Sequence, residues 1–237
     1  MLTTLLLFDI DGTLIIGSRA ARAAFARAIH TCLGVEVDLS TLQSAGKTDP
    51  RIMQEIIDEH GLQRGRVDWE ALRAAFLAHV ADAVRLDPGR VGPGVRPLLE
   101  ALSRRVGAVL ALGTGNLQES AWMKLAAHGL DAYFDTGGFG DDSPDRDALI
   151  AAGIARVQAR RRTSFDRVVV VGDTPSDVTG ARANRAHSLA VATGPFDAET
   201  LRRAGATLVV ADFTETDAVV AAVDALPPTN HGVRTVE

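Results

Sequence analysis

The run Leu5-Leu6-Leu7-Phe8-Asp9-Ile10-Asp11-Gly12-Thr13-Leu14 decides the fold. Its first half is a short, unbroken apolar stretch, the pattern of a strand buried on both faces. Its second half turns abruptly to two aspartates and a glycine, which can close a tight turn at the strand end. Further short apolar runs follow at 106–112, 168–171, 188–191 and 207–210, each bounded by Gly, Asp, Thr or Pro, with helical patterns between them. Strands that alternate with helices predict an α/β fold with a doubly wound, mainly parallel sheet. Ligands of such sheets bind at the carboxyl ends of the strands. Asp9, Thr114 and Asp173 each stand just past the end of such a run.

The stretch from 18 to 86 breaks this alternation. Ala21, Phe25, Ala28 and Cys32 recur at helical spacing, as do Ile52, Ile56 and Ile57. A further helix is expected over 69–84, with Asp68 as its N-cap and Asp87-Pro88-Gly89 as its stop. The chain therefore divides into a Rossmann-like α/β core, 1–16 and 92–237, and a helical cap inserted over 17–91. Gly17-Ser18 and the run 91–94 are the candidate hinges. The stretch 227–237 is polar and proline-containing and is expected to fray.

Composition sets the outer limits. The chain has 237 residues, 46% of them hydrophobic and 23% charged, enough for a sizeable core. Its net charge of −5 argues against a nucleic-acid binder. A single cysteine, Cys32, excludes an internal disulfide framework. The apolar start lacks a basic leader and meets Asp9 at once, so it reads as a strand and not as a signal peptide. No apolar run reaches the roughly 18 residues of a membrane span. A cytoplasmic location and no membrane partner are expected. Lysine is scarce: only Lys47 and Lys124 occur.

Two carboxylates at a strand end that loosens into a loop can face one pocket. A carboxylate can attack phosphorus and form an aspartyl phosphate. A second carboxyl can give a proton to the leaving group and later activate water. The competing reading is a plain turn, since Asp-Gly pairs are common in turns. Gly172-Asp173-Thr174-Pro175-Ser176-Asp177 follows another strand, and Pro175 suits the first turn of a helix. Aspartates that cap the helix would give this pattern.

The run Asp9-Ile10-Asp11-Gly12-Thr13-Leu14 resembles the first motif of the haloacid dehalogenase superfamily in its phosphatase branch, similar to phosphoglycolate phosphatase-like enzymes. The resemblance implies Asp9 as nucleophile and Asp11 as general acid and base. It further implies Mg²⁺ held by the Asp9 carboxylate, the Asp11 backbone carbonyl and Asp173, with Asp177 acting directly or through water. Leu112-Gly113-Thr114-Gly115-Asn116 resembles the second motif, with Thr114 donating to the phosphoryl group and the Gly115 and Asn116 amides at a helix start. The competing reading makes Asn116 an N-cap.

At the third motif the sequence departs from the family, which places a lysine there. Arg146, in the run 141–147, is the candidate cation, and its fork suits phosphate oxygens. The rival, Lys124, is expected on a solvated helix face. Gly46-Lys47-Thr48-Asp49 looks like a cap substrate loop, so that Lys47 could reach a distal group of the substrate. Alternatively Thr48 or Asp49 caps the next helix and Lys47 is solvated. The resulting expectation is a Mg²⁺-dependent phosphatase acting on a small phosphorylated metabolite. A sugar phosphomutase of the same superfamily is the nearer alternative and a phosphoryl-accepting receiver domain the remoter one.

Overall fold

The computed structural model describes residues 2–18, 20–39 and 42–229. Six parallel strands form one sheet: β1 (Thr4–Phe8), β4 (Ala108–Gly113), β5 (Gly137–Gly138), β6 (Arg167–Gly172), β7 (His187–Val191) and β8 (Leu208–Val210). Their order is β5-β4-β1-β6-β7-β8, which puts the opening strand at the centre. Every residue of β1 and of β6 is buried, as their unbroken apolar runs require.

Side chains alternate across the sheet. Leu6, Phe8, Leu112 and Val171 face one layer, where they pack on helices α4 (Val95–Ser103), α5 (Gln118–Ala126) and α9 (Thr216–Asp224). Leu5, Leu7, Val168 and Val170 face the other, against α6 (Arg146–Arg161) and Ala181 of α7 (Pro175–Ala183). Helix α8 (Ala198–Arg203) covers β7 and β8 near one edge through Leu201. The α/β architecture expected from the sequence is therefore present, with the short edge strand β5 added.

Between the central strand and the rest of the sheet lie α1 (Ala20–Leu33), α2 (Asp49–Glu59) and α3 (Trp69–Leu86). They share an apolar core in which Phe25 and Phe76 stack with ring centres 4.4 Å apart. Asp68 caps α3 by accepting the Ala71 N–H at 3.0 Å, and the helix stops before Asp87. A short antiparallel pair, β2 (Ile15–Ile16) with β3 (Arg90–Val91), ties the two crossings into this helical segment together. This ladder, which alternation alone did not reveal, lies beside both stretches expected to be hinges and includes Val91.

The expected fraying needs correction at its start. Thr229 is buried, its Oγ1 accepts the Val168 N–H at 2.9 Å and its own N–H donates to Asp166 O at 2.7 Å. Positions 230–237 of that stretch lie outside the described residues.

Candidate active site

Strand register explains why distant motifs meet. Phe8 pairs with Leu112 on one side and with Val171 on the other. The next residues along each strand are therefore Asp9, Gly113-Thr114 and Gly172-Asp173, all at one sheet edge. Gly12 turns the chain with φ +85°, and a Cβ there would overlap the Asp173 carboxylate. Only glycine lets the first loop pass this close to Asp173. Thr13 Oγ1 donates to Asp173 Oδ1 at 3.0 Å, and Thr193 Oγ1 donates to Gly12 O at 2.6 Å. These bonds join the ends of β1, β6 and β7.

Carboxyl oxygens of Asp9, Asp173 and Asp177 gather within 4.8 Å of one another, all buried. Arg146, at the start of α6, enters the same cluster. One of its Nη atoms lies 3.0 Å from Asp9 Oδ2 and also donates to Asp177 Oδ1. Arg146 thus stands beside Asp9, where the sequence placed its candidate cation. Its Nε is buried without a hydrogen-bond partner among the described residues. Asp177 also closes a capping box on α7: its Oδ2 accepts from Thr174 N–H and Thr174 Oγ1, while Thr174 caps the Asp177 N–H. The capping and cluster readings of this motif therefore hold together.

Burial dominates the protonation of this cluster. It pushes the Asp9 carboxyl up to about 6; Arg146 opposes the rise, and Asp177 and Asp11 add to it. Burial and the neighbouring Asp9 and Asp177 hold Asp173 well above the usual carboxylate range. Burial alone would weaken the hold of Arg146 on its proton, but Asp177 and Asp9 outweigh it and keep the guanidinium charged. Three carboxyl groups against one guanidinium leave room for a further cation. Hard oxygen donors around a small site suit a divalent ion, so the residues fit the metal that the motif implies.

The second cluster corrects the sequence reading of Lys124. It is not on a solvated face but 3% exposed. Its Nζ lies 2.6 Å from Asp11 Oδ2 and 2.6 Å from Asn116 Oδ1. Asn116 Nδ2 donates to Asp11 Oδ2 at 2.7 Å and to Thr114 Oγ1 at 2.9 Å. Asn116 is therefore no N-cap: α5 starts after Leu117, and the Asn116 side chain binds Asp11 instead. Thr114 is fully buried beneath Asn116, and Asp11 is half exposed at the mouth.

Asp49 is a buried group that sequence reasoning read as part of a cap substrate loop or as a helix cap. Thr48 fills that role, accepting the Arg51 N–H at 3.3 Å. Asp49 Oδ2 instead accepts the Leu117 N–H at 2.9 Å and the Ser120 hydroxyl at 3.3 Å. Burial pushes its carboxyl up to about 6, against the pull of Lys124. Its own N–H donates to Gly115 O at 2.7 Å, and Thr48 Oγ1 donates to Pro144 O at 2.9 Å. The loop 46–49 is thus stitched to the strand-end loops of the sheet. Lys47 lies 2.5 Å from Glu55 and is partly buried.

Above both clusters opens a cavity of about 640 Å³. Asp9, Asp11, Gly115, Asn116, Arg146 and Asp173 line one end, and Arg22, Phe25, Leu42, Lys47 and Ile52 line the helical end. That volume suits a small organic ligand. Trp122 stays outside it and packs on Phe139 with ring centres 6.1 Å apart. No helix among the described residues is long and apolar enough to cross a membrane.

A doubly wound sheet with paired aspartates at its central strand end, a third aspartate one strand away and a helical insertion defines a class of hydrolases. The pattern of the haloacid dehalogenase-like hydrolases matches residues 3–185, most of the chain, and this chain belongs to that family. It is 28% identical over 207 residues to the tyrosine-protein kinase PtkA of Mycobacterium tuberculosis, covering 86% of this chain and 67% of the kinase. Among solved structures it resembles a predicted phosphatase from Clostridium acetobutylicum (TM-score 0.68, 21% identity, 93% of this chain and 99% of that one). It also resembles a CbbY variant from Rhodobacter sphaeroides in complex with xylulose-1,5-bisphosphate (TM-score 0.69, 18% identity, 91% and 96%). At these identities the structural likenesses show a shared fold.

Proposed function

We propose that the protein is a Mg²⁺-dependent phosphatase for a small phosphorylated metabolite, acting through a phosphorylated Asp9. The observation that carries this reading is Arg146, buried 3.0 Å from Asp9 at the base of the cavity. A carboxylate with a fixed cation beside it suits in-line attack on a phosphoryl group. Asp9, Asp173, Asp177 and the Asp11 carbonyl would hold the metal, which supplies neutralising charge on the phosphoryl oxygens.

In the first step an Asp9 oxygen bonds to phosphorus as the bond to the leaving oxygen breaks. Asp11 gives that oxygen its proton. In the second step Asp11 takes a proton from water, whose oxygen attacks phosphorus and frees Asp9 and inorganic phosphate. Arg146 stabilises phosphoryl oxygens, and Gly115, Asn116 and Lys47, which line the cavity, complete the substrate contacts. Thr114, buried beneath Asn116, holds the Asn116 side chain in place of the expected contact with the phosphoryl group. The segment 17–91 serves as the cap that screens this chemistry from bulk water.

The test is hydrolysis of an aryl phosphate. Asp9→Asn is expected to abolish turnover, and wild-type turnover by this variant would refute the assignment. Product analysis with a sugar monophosphate separates the phosphomutase alternative, which would return the phosphoryl group to a sugar hydroxyl. A second reading follows from the likeness to PtkA: transfer of a phosphoryl group to tyrosine. Labelled ATP and a tyrosine peptide test it, with a labelled peptide as the supporting result.

A further inference from the structure

The helical end of the cavity holds two cations, and their surroundings differ. Lys47 is matched by Glu55 at 2.5 Å, and Glu55 also meets Arg51 at 3.2 Å. Arg22 is half-buried on the cavity wall, and among the described residues no carboxylate lies within 4.0 Å of it. The hydrogen bond it makes there is a long one, 3.5 Å, to Leu42 O. Arg22 also stands in the first turn of α1, a turn with no acidic residue. A cation there meets the positive end of the helix dipole, so the two add instead of cancelling.

Beside Arg22 the wall is apolar, formed by Phe25, Leu42 and Ile52. Asp49, which also lines the cavity, has its Oδ2 engaged by Leu117 and Ser120 of the core. The cavity thus offers an anion site at its catalytic end, an apolar wall between, and at the other end a guanidinium that meets no carboxylate within 4.0 Å among the described residues.

We propose that Arg22 receives a second anionic group of the substrate, so that the ester carries a carboxylate or a second phosphate distant from its reacting phosphoryl group. The inference rests on the phosphatase reading for the placement of the reacting phosphate. The guanidinium fork matches either anion in two-point contact. The carbon skeleton between the two anions lies along Phe25, Leu42 and Ile52.

Non-hydrolysable ligands test this apart from turnover. Calorimetric titration in Mg²⁺ buffer compares propylphosphonate with 3-phosphonopropionate and propane-1,3-bisphosphonate. The wild type is expected to bind at least one of the doubly anionic ligands about tenfold or more tightly than propylphosphonate, the scale of one charge-assisted contact. Which of the two it favours separates a carboxylate from a phosphate. Arg22→Gln is expected to remove most of that preference, and Arg22→Lys, which keeps the charge without the fork, to retain part of it. Unfolding temperatures confirm that both variants fold. Equal binding of all three ligands by the wild type, or a preference that survives in Arg22→Gln, overturns the inference. An Arg22-dependent preference in a protein that hydrolyses no phosphate ester supports this inference while overturning the phosphatase reading.

Discussion

Lys124 Nζ lies 2.6 Å from Asp11 Oδ2, and the two residues are 113 positions apart. The lysine is buried and the aspartate half exposed, so the charge is anchored from inside the core. Asn116 completes the clamp by donating to the same Asp11 oxygen at 2.7 Å. The two aspartates of the opening motif therefore have separate cations: Arg146 for Asp9 and Lys124 for Asp11. This division suits their separate proposed roles, one attacking phosphorus and the other moving protons.

Lys124→Met removes the cation and leaves Asp11 held by Asn116 alone. The expected result is a kcat on the order of 100-fold lower, within the range that positioned proton transfer contributes. KM should stay unchanged, because Lys124 is absent from the cavity wall. Steady-state kinetics on an alkyl phosphate check this. A rise in KM alone would mean that Lys124 acts in binding.

Asp49 gives a pH signature. Its carboxyl is pushed up to about 6 from an ordinary 3.8, mainly by burial. The folded protein thus holds this proton where the unfolded chain releases it. The associated stability is fully present below about pH 4 and is lost as pH rises towards and through 6, by about 3 kcal/mol in all. Asp49→Asn keeps an acceptor oxygen for Leu117 and does not titrate. Its unfolding free energy relative to wild type should therefore increase by roughly that amount between pH 4 and pH 7. Urea unfolding across this range is the measurement, and parallel curves for the two proteins would contradict the assignment.

The cluster of Asp9, Asp173 and Asp177 predicts a metal response. Mg²⁺ at a hundred times its dissociation constant should stabilise the wild type by about 2.7 kcal/mol over EDTA-treated protein. Asp173→Asn should lose that response. Without metal it should melt above wild type at neutral pH, since one buried acidic group is gone from a site where Asp9 and Asp177 disfavour its charge. Scanning calorimetry with and without Mg²⁺ reads both effects.

Gly12 is a backbone test of the same site. Gly12→Ala must place a Cβ against the Asp173 carboxylate at φ +85°. The left-handed conformation alone costs about 1–2 kcal/mol, and displacement of Asp173 adds to it. Chemical denaturation should show at least that loss together with a weakened Mg²⁺ response. A change within about 0.5 kcal/mol would mean that the loop moves aside freely.

Much of this was legible in the sequence for a physical reason. Fully buried strands such as 168–171 must be apolar throughout, and the acidic residues that follow them stand out sharply. Period and punctuation thus located β1, β4, β6, β7 and β8 and their strand ends. The two-residue strands β2, β3 and β5 are too short to carry a period. Arg146 could be named only through the family resemblance, which sets a cation in the interval before β6; in the structure it opens α6, the helix that precedes that strand. Lys124 was misread because a lysine in a helix is usually solvated. The available signal was Ser120 and Lys124 at i and i+4, beside Ala121 and Leu125 that pack into the core. Asp49 was hidden because its partners, Leu117 and Ser120, are brought close only by the fold.

The central claim is that Asp9 becomes phosphorylated during turnover. Rapid quenching of the Mg²⁺-loaded enzyme with substrate, followed by borohydride reduction and peptide mass spectrometry, tests it directly. A phosphorylated aspartate is reduced to homoserine, so homoserine at position 9, dependent on substrate, is the predicted result. Continued turnover with Asp9 unmodified, or homoserine at another aspartate instead, would contradict the account.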